Sequence, residues 1–170
     1  AAQADAVSVL PYARDTSVLA PGTPALVLRP YSAAQVAAVL AAAARLKVPV
    51  YTRGGGSMYA GGVNPHAGGA VLDLSGLDRI LDTDPARGVV VAEAGVRFTR
   101  LLAALEPFGQ TIGIVPLTAP VGTLGGAINA HALGTGSPRH QSLADEVVGL
   151  EVALTDGALL TALLGAKAGE

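Results

Sequence analysis

Three observations predict an α+β chain, with α/β as the alternative. Hydrophobic periodicity switches about every ten to fifteen residues between short apolar runs and the i, i+3, i+4, i+7 spacing of a helix face, as in a mixed fold. Glycine is in excess, 22 of 170 residues, about 13% where roughly 7% is usual. It follows no G-x-y period and crowds into two stretches between predicted elements. Finally, 51% hydrophobic and 14% charged residues exclude a disordered chain, and 170 residues suffice for one domain or two small lobes with a sizeable core.

The elements follow in order. Residues 25–28 form an apolar run closed by Arg29-Pro30, a strand that ends where proline removes the ladder donor. Ser32-Ala33-Ala34-Gln35 has the S-x-x-Q spacing of a capping box. Val36, Val39, Leu40 and Ala43 then mark one face of a helix that ends near Lys47. Residues 48–52 predict a second strand with proline near its start, residues 70–74 a third, residues 80–82 a short one and residues 88–94 a buried one. Phe98, Leu101, Leu102 and Leu105 mark a second helical face, which stops before Pro107. Residues 147–155 and 158–161 predict a hairpin joined through Asp156-Gly157 in a type I′ turn.

Several function classes are excluded. A net charge of -2 and a pI near 5.9 leave no basic stripe for nucleic acid. The absence of cysteine removes disulfides, thiolate metal sites and cysteine nucleophiles. The longest apolar run, residues 36–44, is far short of the roughly 18 residues of a membrane span, and no signal pattern opens the chain. A soluble, cytoplasmic protein is expected. The sequence starts without methionine and stops at Lys167-Ala168-Gly169-Glu170 soon after a predicted strand, as a fragment, a processed chain or one subunit would. Neither lysine, Lys47 or Lys167, stands in a Walker A loop. None of His66, His131 and His140 begins H-E-x-x-H, so no metal site is expected. There is no G-x-S-x-G elbow and no G-x-G-x-x-G fingerprint.

What remains is glycine. Five of the nine residues 54–62 are glycine, directly after a predicted strand, and consecutive glycines can turn their N–H groups toward an anion. The alternative is a flexible surface turn, with Arg53 either adding charge or solvated. The second stretch holds Gly122, Gly125, Gly126, Gly134 and Gly136, and its middle predicts a short helix whose free N-terminal amides suit a diphosphate. Two such stretches fit a dinucleotide.

Five segments stand in order from about residue 26 to residue 160: R-G-G-G-S-M-Y-A-G-G, V-L-D-L-S-G-L-D-R-I-L, V-V-V-A-E-A-G-V, P-V-G-T-L-G-G-A-I-N-A and A-D-E-V-V-G-L-E-V-A-L-T-D-G. This series resembles the FAD-binding domain of the vanillyl-alcohol oxidase and p-cresol methylhydroxylase (PCMH-type) flavoproteins. The resemblance implies an α+β, PCMH-type fold of two small subdomains with FAD between them, one over about residues 1–84 and a second, incomplete one over about 85–170. It implies that Arg53, Gly54, Gly55, Gly56, Ser57, Met58 and Tyr59 bind the FAD diphosphate. Pro120, Gly122, Thr123, Gly125, Gly126, Asn129 and Ser137 would line the diphosphate and ribityl chain, and Leu150, Glu151 and Val152 would meet the adenine or flavin edge by backbone.

Many members carry the flavin on a histidine of the first loop. Here Ser57 holds that position, and cysteine is absent, so the implied FAD is noncovalent, with His131 or His140 as alternative attachment points. The resemblance further implies a substrate-binding cap domain, or a partner subunit, outside this chain, and leaves the catalytic residues unknown. The loop pattern looks closest to the lactate and glycolate oxidase branch, which implies hydride transfer from a small 2-hydroxy acid to FAD. Alternatives are oxidation of phenols, sugars or other alcohols, a noncatalytic FAD-binding module that needs a partner chain, and a relative of the cell-wall reductase with a nicotinamide donor. Single residues have plainer alternatives: His131 bonded to backbone, His66 solvated, Asp73, Asp78 and Arg79 as caps and surface charges, and Tyr59 as core filler.

Overall fold

The computed structural model of the chain describes residues 2–163; the ending at Lys167 to Glu170 lies outside them. Two strands of the first half, with the helix between them, flank the most apolar run. β1 (Ala2–Gln3), α1 (Ala6–Val9), β2 (Leu26–Leu28), α2 (Ala33–Leu46), β3 (Val50–Arg53) and β4 (Ala70–Asp73) build a four-stranded sheet in the order β1-β2-β4-β3. β4 runs parallel to β2 and β3, and β1 is antiparallel at one edge. All four residues of β4 are buried, as in a central parallel strand covered on both faces. On one side α2 packs Val36, Val39 and Leu40 with Leu72 and Leu77. A separate cluster joins Val9, Val27 and Val71, with Tyr12 and Tyr51 against it.

The predicted capping box is half made. Ser32 accepts the Gln35 amide at 3.3 Å, but the Gln35 side chain accepts from Tyr31, one residue upstream of the cap. The helix still starts and stops as the spacing predicts, ending at Lys47 in the left-handed region (φ 55°).

The second half contains β5 (Ile80–Asp84) and β6 (Val89–Ala92), an antiparallel hairpin, followed by α3 (Phe98–Leu105). β7 (Val115–Pro116), α4 (Leu124–Asn129), β8 (Gly134–Thr135), α5 (Ser137–His140), β9 (Gly149–Ala153) and β10 (Leu159–Leu163) complete it. The amphipathic face of α3 buries Phe98, Leu101 and Leu105, with Leu102 half-buried. Phe98 packs with Ile114, Ala119, Ala127 and Leu143, while Leu101 and Leu105 pack with Val96, Ile80 and Val90. The expected division near residue 84 therefore falls inside the β5–β6 hairpin, both of whose strands pack with the second half.

The last hairpin differs in two ways from expectation. Gly157 has φ 89° but Asp156 is not in the left-handed region, so the type I′ turn is absent. Instead the Gly157 amide donates to Leu154 C=O and the Leu154 amide to Ala158 C=O, a longer loop with glycine at its left-handed position. The hairpin also packs back on α2 of the first half, where a side chain at Gly157 would meet Ala37 and Ala41, and Ala153 joins the Val36 cluster. Among the described residues no helix is long and apolar enough to cross a membrane.

Parallel pairing brings the carboxyl ends of β2, β3 and β4 to one edge, and with them Arg29, Arg53 and Asp73. Asp73 is the cap that the sequence suggested and a buried hub, not a surface charge. It accepts Tyr12 Oη at 2.8 Å, Arg29 Nη2 at 2.6 Å and Nε at 2.9 Å, and caps the following turn through the Ser75 amide at 2.9 Å. Burial pushes its carboxyl pKa up, but bonds from Ser75, Arg29 and Tyr12 outweigh this and hold it below the ordinary value. A depressed pKa contributes stability above the unfolded value, about 4, that is lost as pH falls through the lower folded value. Urea titrations are expected to show a stability loss below about pH 4 that is smaller in Asp73→Asn. At neutral pH this variant loses about 2–3 kcal/mol, the low end for a buried pair because Arg29 is 42% exposed.

Candidate cofactor-binding site

The first glycine stretch leaves the carboxyl end of β3, the edge where open α/β sheets receive ligands. Among the described residues, none of the backbone amides of residues 55–60 donates a hydrogen bond within the protein. These six consecutive amides, exposed or half-buried, are donors left open to an acceptor from outside the protein.

The second glycine stretch meets the first here. A Cβ on Gly54 would strike Oγ1 of Thr123, and one on Gly55 would strike the Val121 carbonyl and crowd Gly122. Only a residue without a side chain lets the two backbones approach this closely. Thr123 is 3% exposed, with its Oγ1 wedged between Gly54 and Gly126. Gly122 is buried and its amide donates to Thr118 C=O at 2.6 Å, which tightens the turn that presents Val121. The strand-like contact of Arg97 with Thr123 fastens the same turn to the start of α3.

Arg53 is half-exposed and held in place. Its guanidinium lies over the Tyr12 ring at 5.6 Å, donates through Nη1 to Arg14 C=O at 2.9 Å and packs against Gly56. Gly56 has φ 68°, and a side chain there would strike the guanidinium. Ser57 and Met58 are half-buried, and Met58 C=O accepts both the amide and the hydroxyl of Thr16. Tyr59 is 73% exposed and does not fill the core.

The predicted free N-terminus of α4 is not free. The Leu124 amide donates to Val96 C=O and the Gly125 amide to Ala94 C=O, each at 2.8 Å, and a side chain on Gly125 would meet Ala94. This glycine serves close packing, while the donors belong to the first loop. Pro120 and Asn129 are exposed beside and beyond the turn, and Ser137 accepts the Gly134 amide at 2.9 Å at the start of α5. Glu151 and Val152 are exposed on β9, a separate element paired with β10. The structure thus joins Arg53, Gly54, Gly55 and Gly56 to Gly122 and Thr123. It leaves Asn129, Ser137, Glu151 and Val152 on other elements.

His140 pairs with Glu146 at 2.7 Å, His131 is exposed at φ 47° after α4, and His66 is exposed. Tyr12, Asp15 and Asn64, which brace the first loop, carried only faint signals: Asp15-Thr16-Ser17 as a local turn pattern and Asn64 before Pro65.

The chain matches the FAD binding domain family over residues 24–163. It belongs to that family. The PCMH-type α+β fold and FAD as cofactor, both implied by the five segments, are thereby shown. The chain is 28% identical over 151 residues to glycolate oxidase subunit GlcD of Bacillus subtilis, covering 89% of this chain and 32% of the relative. It is 31% identical over 153 residues to GlcD of Escherichia coli K12, covering 90% and 31%. With D-2-hydroxyglutarate dehydrogenase of the same organism it shares 37% over 143 residues, covering 81% and 14%. It therefore spans a third or less of these relatives. Its fold superposes on 6-hydroxy-D-nicotine oxidase from Arthrobacter nicotinovorans with TM-score 0.84 at 23% identity, over 96% of this chain and 35% of that one. On alkyldihydroxyacetonephosphate synthase the TM-score is 0.85 at 20% identity, over 96% and 32%.

The contacts around the glycines give a direct test. Gly55→Ala meets a backbone carbonyl that no side-chain change removes, and is expected to lower the melting temperature by the equivalent of about 1–3 kcal/mol. Gly54→Ala meets mainly the Thr123 side chain, so adding Thr123→Ala restores part of its loss. Thermal denaturation of the three proteins checks this, and equal rescue of both glycine variants by Thr123→Ala would contradict the geometry.

Proposed function

We propose that the chain is the FAD-binding part of a flavin-dependent oxidoreductase that oxidises the alcohol carbon of a small 2-hydroxy acid. The carrying observation is the row of unpaired amides over residues 55–60, held against the bare backbone of residues 121–123. Consecutive free backbone donors of this kind are what a diphosphate needs, so the residues present fit FAD. The amides of Gly55, Gly56, Ser57 and Met58 would donate to the diphosphate oxygens. Gly54, Gly122, Thr123 and Gly126 would keep the backbones close enough for the ribityl chain to lie along them. Arg53, held over Tyr12, offsets part of the diphosphate charge from behind the loop. Glu151 and Val152, with Pro120, Asn129 and Ser137, complete the proposed cofactor contacts.

When bound, FAD supplies the redox chemistry and accepts the hydride. This chain's residues bind and orient it. Ser57 cannot form a histidyl link and there is no cysteine, which supports noncovalent attachment. The 2-hydroxy acid rests on the relatives named as glycolate oxidase subunits and D-2-hydroxyglutarate dehydrogenase. The chain spans a third or less of those relatives, so the substrate-side residues belong to a further domain or a partner subunit. A cytoplasmic location is part of the same proposal. The same length relation favours a second reading, a binding subunit without turnover of its own.

Denaturing the purified full-length protein with acid is expected to release FAD into the supernatant; yellow colour in the pellet would contradict noncovalent attachment. Turnover is expected with a 2-hydroxy acid and an artificial electron acceptor. Activity only with phenols or sugars would overturn the substrate class, and activity only after a partner chain is added would favour the second reading.

A further inference from the structure

Five glycines in nine residues give the first loop a wide choice of backbone conformations, yet a diphosphate cradle needs one. Among the described residues, the stretch 54–64 closes on itself only through the Asn64 amide and Gly61 C=O at 3.0 Å. Beyond the packing of Gly54 and Gly55 on residues 121–123 and of Gly61 on Leu19, and the bond from Asn64 to Ala20 C=O, residues 12–17 hold it. Thr16 grips Met58 C=O with its amide at 3.2 Å and its hydroxyl at 2.8 Å. Arg53 reaches back to Arg14, and the Asp15 amide donates to Oδ1 of the fully buried Asn64 at 2.6 Å.

Asp15 stands at the centre of this strap and is 6% exposed. Its Oδ1 accepts the Ser17 amide at 2.9 Å, while Oδ2 is buried with no hydrogen-bond partner. Burial pushes its carboxyl pKa up, but hydrogen bonding from Ser17 holds it below the ordinary value, so the group is a buried anion. A buried charge with an unfilled acceptor costs stability. Alanine would spare that cost but would release the Ser17 amide and with it the turn that aims the Asp15 amide at Asn64 and Thr16 at Met58.

We propose that Asp15 is a positioning residue whose buried carboxylate, within a strap over residues 12–17, holds the glycine loop in the conformation that accepts the FAD diphosphate. The proposal rests on the assignment of FAD to this loop. Asp15 acts through the loop and not on the ligand, because it is closed off from solvent.

The experiment uses the full-length protein, stripped of flavin and titrated with FAD by fluorescence quenching, with amide hydrogen exchange of residues 55–64 and of α3 in the flavin-free state. Asp15→Ala is expected to raise the FAD Kd about tenfold or more. It is also expected to speed exchange in residues 55–64 and not in α3. Asp15→Asn, which keeps an oxygen acceptor, is expected to recover part of the affinity. An unchanged Kd in folded Asp15→Ala, or exchange that quickens equally in α3, overturns the proposal. Should Asp15→Ala not fold, Thr16→Val removes only an exposed hydroxyl and is expected to raise Kd about threefold. An unchanged Kd in that variant also overturns it. If the wild-type protein takes up no FAD, the cofactor assignment fails instead, and the exchange data alone decide whether the strap orders the loop.

Discussion

The approach of two bare backbones, Gly54-Gly55 against Val121-Gly122-Thr123, is the constraint on which the rest of the structure depends. It joins the parallel-sheet half to the half built around α3. Neither glycine has room for a methyl group, because the Thr123 side chain fills the space at Gly54 and the Val121 carbonyl fills it at Gly55. Everything nearby serves to bring the two turns into register. The Thr118 carbonyl tightens one turn, and the Val96 and Ala94 carbonyls dock the start of α4. β3 delivers the other turn from the carboxyl edge of the sheet.

Polar groups at that edge divide into two kinds of work. Asp73, Arg29 and Tyr12 form a hydrogen-bonded cluster at the end of the central strand, and the Tyr12 ring in turn supports the Arg53 guanidinium beneath Gly56. A chain of contacts thus runs from the sheet to the glycine loop. The amides of residues 55–60, by contrast, bond to nothing in the protein. Satisfied polar groups build the wall, and the unpaired amides beside it are left open to a partner from outside the protein.

Much of this was legible in the sequence. Apolar spacing placed α2 and α3 to within a residue or two, and the strand predicted over residues 70–74 became the interior strand β4. The five ordered segments led to the family. What misled was local chemistry read without its neighbours. Asp-Gly suggested a two-residue turn, but packing of Gly157 on Ala41 accompanies a longer loop. The glycines of α4 suggested free amides, yet the Ala94–Val96 backbone occupies two of them. Asp73 suggested a cap or a surface charge; it is a cap, but the side chains of Tyr12 and Arg29, distant in sequence, also enclose it.

The sequence by itself determined the element types, the family and the need for two glycine-rich loops, because period, composition and missing side chains are local properties. Only the tertiary structure decided which glycines keep free amides and which allow close packing. It also showed that residues 12–17, with no glycine and no motif, brace the binding loop. Such roles arise from contacts between residues some 40 to 50 positions apart, and nothing in a one-dimensional pattern encodes those contacts.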